Sequence, residues 1–150
     1  MVQLFAIMLG LTFGSFLNVV IYRLPRNLFF SKSRSFCPHC KYQIPFHSNI
    51  PVISYLIQGG KCTNCATPIS RHYPIVELLS ALIWGWASFN YGLHQGILFI
   101  WICSILLAIS IIDHETFIIP FPLIISALLG FLVYIYFNPT EWRVSFWGAI

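Results

Sequence analysis

The sequence predicts an all-α polytopic integral membrane protein, with about four spans, the start of a fifth, and a small cytoplasmic zinc-ribbon-like loop between spans 1 and 2. Three observations carry this reading. Of the 150 residues, 58% are hydrophobic and only 8% are charged, whereas a soluble domain carries about 25% charged residues. Seven of the eight Lys and Arg side chains lie between positions 23 and 71, so the net charge of +4 belongs to one loop. That loop also holds two CxxC pairs, Cys37/Cys40 and Cys62/Cys65.

The first element is a transmembrane helix over residues 1–22. Met1 to Tyr22 carries no charged side chain, enough to cross a hydrocarbon core of about 30 Å at about 1.5 Å per residue. A cleaved signal peptide fits poorly: the start is not basic, the apolar run is too long, and no small-x-small site precedes Arg23. Gly10, Gly14 and Asn18 recur at i, i+4 and i+8 on one face. Small residues there permit a close helix neighbour, and an Asn in lipid wants a partner across that contact.

Residues 23–73 form the second element, a cytoplasmic four-cysteine loop. Its opening, LPRNLFF, reads as interfacial, with Phe29 and Phe30 at the headgroup level. Four thiolates from two CxxC pairs suit a closed tetrahedral zinc site, which leaves no open position for water and so serves structure. Disulfides would need an oxidising compartment, and a thioredoxin-like role would need a βαβ setting that the pattern lacks. Between the pairs, NIPVISYLIQGGK suits a strand and a turn ended by Gly59 and Gly60. His39 and His47 are expected at the surface, since four cysteines already complete a site. The basic residues are scattered, and no nucleic-acid partner is expected.

The third element, residues 74–150, is a membrane core that reads as incomplete at its C-terminal end. Leu78 to Ile112 contains no Lys, Arg, Asp or Glu over 35 residues, which is the length of two spans broken at Asn90 to Gly96. Glu77, just after Pro74, suits the positive end of a helix dipole. Cys103 reads as a small apolar filler. A further uncharged run extends from Thr116 to Thr140, with Pro120 and Pro122 tolerable in a first turn. NPTEWR then breaks the pattern, and VSFWGAI opens an apolar run too short to cross a bilayer, so the chain is expected to be a fragment. The positive-inside rule puts the loop at 23–73 in the cytoplasm, the N-terminus outside, and Asp113 on the cytoplasmic side.

Asp113, in IIDHETFIIP, is the acid most open to a functional reading, because an ionisable group near membrane depth is costly. An acid that merely ends a helix is the plainer reading. An aspartyl peptidase would use two carboxylates sharing a proton, one activating water and the other protonating the leaving group. A metal site from Asp113, His114 and Glu115 is disfavoured because consecutive helical residues point apart. A proton relay would want acids deep in other spans. Glu115 is a poor partner for Asp113, since i and i+2 do not face each other on a helix.

These residues also carry a resemblance. GSFLNVVIYRLP (Gly14 to Pro25), CPHC, NIPVISYL, GGKCTNC and ISRHYPIVELLSA follow in the order of the bacterial type IV prepilin peptidases, the leader peptidase/N-methyltransferases. IIDHETFIIP resembles the stretch that holds that family's first catalytic aspartate, with the same step from Asp113 to Pro120. The resemblance implies an inner-membrane, multi-pass enzyme that cuts the leader of prepilins and pseudopilins. It then methylates the new N-terminal amine from S-adenosylmethionine, with Gly60 and the surrounding zinc loop as candidates for that step. It implies Asp113 as a catalytic residue and Cys37, Cys40, Cys62 and Cys65 as metal ligands. Two departures stand out. The Gly-x-Gly-Asp of the second catalytic aspartate does not occur, so the 150-residue chain is expected to be inactive alone, and Phe121 stands where an acid is common. The alternatives are a non-catalytic membrane scaffold whose zinc loop binds a partner, and a membrane thiol-redox protein.

Overall fold

The computed structural model describes residues 1–28 and 35–137. The expectations for Phe29 and Phe30, for the polar break and for the last apolar run fall outside them. The described residues form five α-helices: α1 (Val2–Arg23), the short α2 (Ile53–Ile57), α3 (His72–Asn90), α4 (Leu93–Thr116) and α5 (Phe121–Phe137). Among the described residues, two stretches are long and apolar enough to cross a membrane, Val2–Arg23 and Gln95–Thr116, while Phe121–Phe137 is apolar but shorter.

The α1 face singled out by its spacing is the one that packs. Gly10, Gly14 and Asn18 are all buried. A Cβ added at Gly14 would fall 2.6 Å from Glu77 Cα, and one at Gly10 would fall 2.8 Å from Ala81 Cα. The two backbones therefore touch where glycine removes the side chain, as small residues allow between apolar helices. Asn18 finds its partner across the same contact, its Nδ2 donating to the Tyr73 carbonyl at 3.0 Å.

The break expected between the next two spans is tight. Helix α3 ends at Asn90, whose side chain donates back to the Trp86 carbonyl. Tyr91 is extended, and Gly92 caps α4 from outside. Helix α4 ends where Phe117 turns left-handed, at φ 53°, and sends its N–H to the Asp113 carbonyl at 2.8 Å. That αL closure is followed by Pro120, which cannot continue a helix. Leu17 and Ile21 of α1, Val76 of α3, and Ala108 and Ile112 of α4 form the buried core at this end. Helix α5 meets α4 where Trp101 Nε1 donates to the Ser126 carbonyl at 3.1 Å, beside Gly130.

The strand expected in the loop changes. Among the described residues there is no strand, only two isolated antiparallel bridges, Phe36 with Gln43 and Lys61 with Pro68. The stretch read as a strand and turn is instead a 3₁₀ turn, Phe46–Asn49, followed by α2. A short apolar run cannot be told from a helix by periodicity. Local contacts decide here: the Ser54 hydroxyl and N–H both return to the Ile50 carbonyl. Gly59 and Gly60, both at positive φ, end the helix as expected of a stop.

The Gly14 contact yields a test. Gly14→Ala gains helix propensity of about 1 kcal/mol, but overpacking against a backbone costs about 1–3 kcal/mol, so the protein should lose stability. Gly85→Ala meets only the movable Ile7 side chain, at 3.0 Å, and should be milder. Unfolding midpoints in detergent compare the two; equal effects would remove close approach as the reason for Gly14.

Candidate functional site

Each CxxC pair forms the same small turn. Cys37 N–H donates to the Tyr42 carbonyl and Lys41 N–H to the Cys37 carbonyl, both at 2.9 Å. Cys62 N–H to Thr67 and Ala66 N–H to Cys62 repeat the pattern, again at 2.9 Å. Lys41 (φ 59°) and Ala66 (φ 56°), each just after the second cysteine of its pair, take the left-handed conformation that lets the chain double back. Glycine is the usual residue for that conformation. Neither turn has one, so the sequence signal for the turn was missing.

The two turns face each other and bring Cys37, Cys40, Cys62 and Cys65 together, with all four Sγ atoms within 4.8 Å of one another. Cys37 and Cys65 Sγ are 3.9 Å apart, close to the edge of about 3.8 Å that a tetrahedron with metal–sulfur bonds of about 2.3 Å requires. The group could hold a metal ion. At Cys65 and Cys40 the surroundings favour the thiolate, the form that binds metal, whereas burial helps to push the Cys37 thiol up. Thr67, whose Oγ1 lies 3.2 Å from Cys65 Sγ, lowers the Cys65 thiol to about 6 by side-chain and backbone hydrogen bonds. The Tyr42 backbone N–H lowers Cys40, helped by the Asn64 amide at 3.6 Å. Cys103 stands apart in α4, and His39 is exposed.

Two contacts and a short link tie this loop to the helices. Tyr22, near the end of α1, meets the Phe36 ring edge-on at 6.2 Å, and Arg26 stacks on Tyr22 at 4.5 Å. On the other side, Ile69 N–H donates to the Gly60 carbonyl at 2.7 Å, and three residues later α3 begins. Between them, the Val52 N–H donates to Glu77 Oε2 at 2.7 Å. Glu77 is 7% exposed. It was expected at the mouth of its own helix; instead its carboxylate reaches out of α3 to hold another segment. Val52 is β-branched and sits at φ 61°, a conformation that costs about 1–3 kcal/mol and persists only where neighbours over-determine it.

Asp113 lies in the last turn of α4 and is exposed. Its neighbour Glu115 turns away toward α3, where His72 Nδ1 lies 3.4 Å from Glu115 Oε1. The His72 and His114 rings stand 6.3 Å apart. These contacts join the start of α3 to the end of α4, so the cysteine loop and Asp113 share one end of the bundle. No metal cluster forms from Asp113, His114 and Glu115 among the described residues. A cavity of about 710 Å³ opens between the loop and the helices, with Asn18, Arg26, Tyr55, Tyr73, Glu77 and Glu115 among its walls. The Glu77–Val52 and His72–Glu115 contacts had no sequence signal, since each joins residues remote in the chain.

The described residues thus have the helices of a membrane protein, two of them apolar and long enough to cross a bilayer, with a four-cysteine group that could hold a metal at one end. Residues 8–91 match the family model of the bacterial peptidase A24 N-terminal domain, and the chain belongs to that family. The match contains all four loop cysteines and ends before Asp113. Among curated relatives, the prepilin leader peptidase/N-methyltransferase of Stutzerimonas stutzeri is 36% identical over 97% of this chain and 59% of its own length. Those of Myxococcus xanthus and Pseudomonas aeruginosa are each 35% identical, over 84% and 81% of this chain and 38% and 50% of their own lengths. The chain thus spans about half the length of the curated relatives it matches. No solved structure matches it.

The thiolate geometry predicts a metal stoichiometry. Purified protein should carry a single tightly held metal ion; Cys62→Ser should lose it and make the loop protease-sensitive, while Cys103→Ser should change neither. Elemental analysis and limited proteolysis read both. Full occupancy in Cys62→Ser would exclude the four-thiolate arrangement.

Proposed function

We propose that this chain is the membrane-proximal part of a prepilin peptidase. The enzyme cleaves the leader of prepilins and pseudopilins at the cytoplasmic membrane face and N-methylates the new N-terminal residue. The observation that supports this most is the alignment with prepilin leader peptidase/N-methyltransferases over 97% of the chain, a range that takes in both the cysteine loop and Asp113. In this reading α3 and α5 cross the bilayer with α1 and α4, giving four spans before a fifth. The N-terminus lies outside, and the loop at 23–73 faces the cytoplasm of a bacterial inner membrane.

Asp113 is the proposed catalytic residue. It is exposed, and it stands at the same end of the bundle as the loop. The chemistry needs a second carboxylate, so that one activates water while the other keeps a proton for the leaving group. Glu77 and Glu115 are each engaged, by Val52 and His72. The partner is therefore assigned to a longer form of the protein, where the family resemblance expects a Gly-x-Gly-Asp.

Zinc, held by Cys37, Cys40, Cys62 and Cys65, would close the loop and supply no open position for chemistry. S-adenosylmethionine would supply the methyl group. The cavity beside Gly60's loop, at about 710 Å³, is within the range of about 300–1,000 Å³ typical of small-molecule sites. A non-catalytic scaffold has no observation in its favour beyond the loop itself.

Two outcomes are expected. The 150-residue chain alone should insert, bind zinc and leave prepilin uncut. The extended protein should cleave it, and Asp113→Asn there should lower cleavage by about 10²–10⁴-fold with zinc content unchanged. Full activity in Asp113→Asn would overturn the catalytic assignment. As to topology, a single cysteine at Thr67 in a metal-loaded background should resist an impermeant reagent in intact cells, and one at Thr140 should react. The reverse pattern would invert the orientation.

A further inference from the structure

The segment between the two cysteine turns does not rise away from the helices. Gly14 abuts Glu77, and Asn18 bonds Tyr73. This single antiparallel register sets the start of α3, His72, opposite Val19, short of the end of α1 at Arg23. The Val52 N–H then reaches Glu77, in the second turn of α3. Pro51, Val52 and Tyr55 share a cavity wall with Thr12, Ser15 and Phe16 of α1. The loop folds back alongside the helices.

At that level it exposes aliphatic side chains. Ile50 is 47% exposed, Ile53 53%, Leu56 69% and Ile57 81%. Phe16 of α1 and Ile75 and Leu78 of α3 are also exposed. No charged residue occurs from Tyr42 to Gly60, and the exposed Lys41 and Lys61 flank that stretch. From Arg23 to Val76 the chain holds no acid at all. An apolar patch framed by cations and free of acids suits the surface of an anionic leaflet. Much of the backbone here is internally satisfied: the N–H groups of Val52, Ile53, Ser54, Leu56, Gln58, Gly59 and Gly60 have partners. Internal partners of this kind lower the cost of placing a non-spanning segment near hydrocarbon.

We propose that residues 50–57 lie in the cytoplasmic leaflet, with Ile50, Ile53, Leu56 and Ile57 seated at the boundary between lipid headgroups and acyl chains. Glu77 holds the segment at that depth through Val52. The inference rests on α1 and α3 crossing a bilayer, and it does not depend on the peptidase reading.

The test uses the whole 150-residue chain, metal-loaded, in a Cys103→Ser background. Leu56→Cys, Ile57→Cys and, as a reference on the second cysteine turn, Thr63→Cys each carry an NBD fluorophore. The proteins are reconstituted in phosphatidylethanolamine/phosphatidylglycerol vesicles, and retained metal reports an intact loop. Labels at 56 and 57 should emit to the blue of the label at 63. Nitroxide-bearing lipids should quench them about twofold or more strongly, and aqueous iodide should quench them less. Equal, water-like behaviour at all three positions would overturn the proposal. Shielding at 56 and 57 that arises only when a prepilin peptide is added would assign the patch to substrate and also overturn it. No arm requires cleavage, so an inactive protein leaves the result readable.

Discussion

The close approach of α1 and α3 is the contact on which the rest of the structure depends. In hydrocarbon, apolar helices gain little from burying apolar surface, because lipid is equally apolar; packing and polar contacts decide the pairing. Gly10 and Gly14 bring the backbones together, since even a Cβ at either position would fall within 2.8 Å of an α3 atom. Once the helices touch there, the register is fixed. Asn18 lies under the Tyr73 carbonyl, Leu17 and Ile21 meet Val76, and Glu77 sits against α1. A side chain at Gly14 would disturb all of these together.

From that register the loop inherits its position. Glu77 is buried with the Val52 N–H on its carboxylate, so helix α3 holds the middle of the segment between the two cysteine turns. The turns are held separately, by Tyr22 against Phe36 and by the short link into α3. A metal on the four thiolates would join the two turns and close the chain between Cys37 and Cys65. Ordering a loop of that length costs entropy that grows only slowly with length, and metal binding supplies folding energy for such a site. The centre of the loop, by contrast, owes its place to a carboxylate.

Much of this was legible in the sequence, and the failures have physical causes. The Gly10, Gly14, Asn18 face was readable because helical period and residue size both pointed to one contact. The cysteine group was readable because CxxC spacing fixes two ligands on one turn. The α3–α4 break fell within Asn90 to Gly96 because Gly and Asn interrupt an otherwise uncharged run. Helix α2 was not readable: ISYLI is too short to show a period, and a carboxylate 25 residues away holds the Val52 N–H beside it. Glu77 was misjudged for the same reason. A dipole argument sees only a residue's own helix, whereas this side chain satisfies a backbone group from another segment. The left-handed turns at Lys41 and Ala66 carried no glycine to announce them.

The acids divide their work by burial and partner. Glu77 is enclosed and accepts a backbone proton donor, which fixes structure. Glu115 faces His72 and ties α4 to α3. Asp113 is exposed at the end of the same helix, while Ile112 beside it is fully buried. The buried neighbour anchors the backbone and the αL closure at Phe117 stops the helix, so the Asp113 carboxyl sits on a rigid element with an open approach. The catalytic role proposed for Asp113 would call for such an arrangement: fixed position, free oxygens and a second carboxylate. Exposure of the α4 end leaves Asp113 open to approach, while Glu77 and Glu115 keep their own partners.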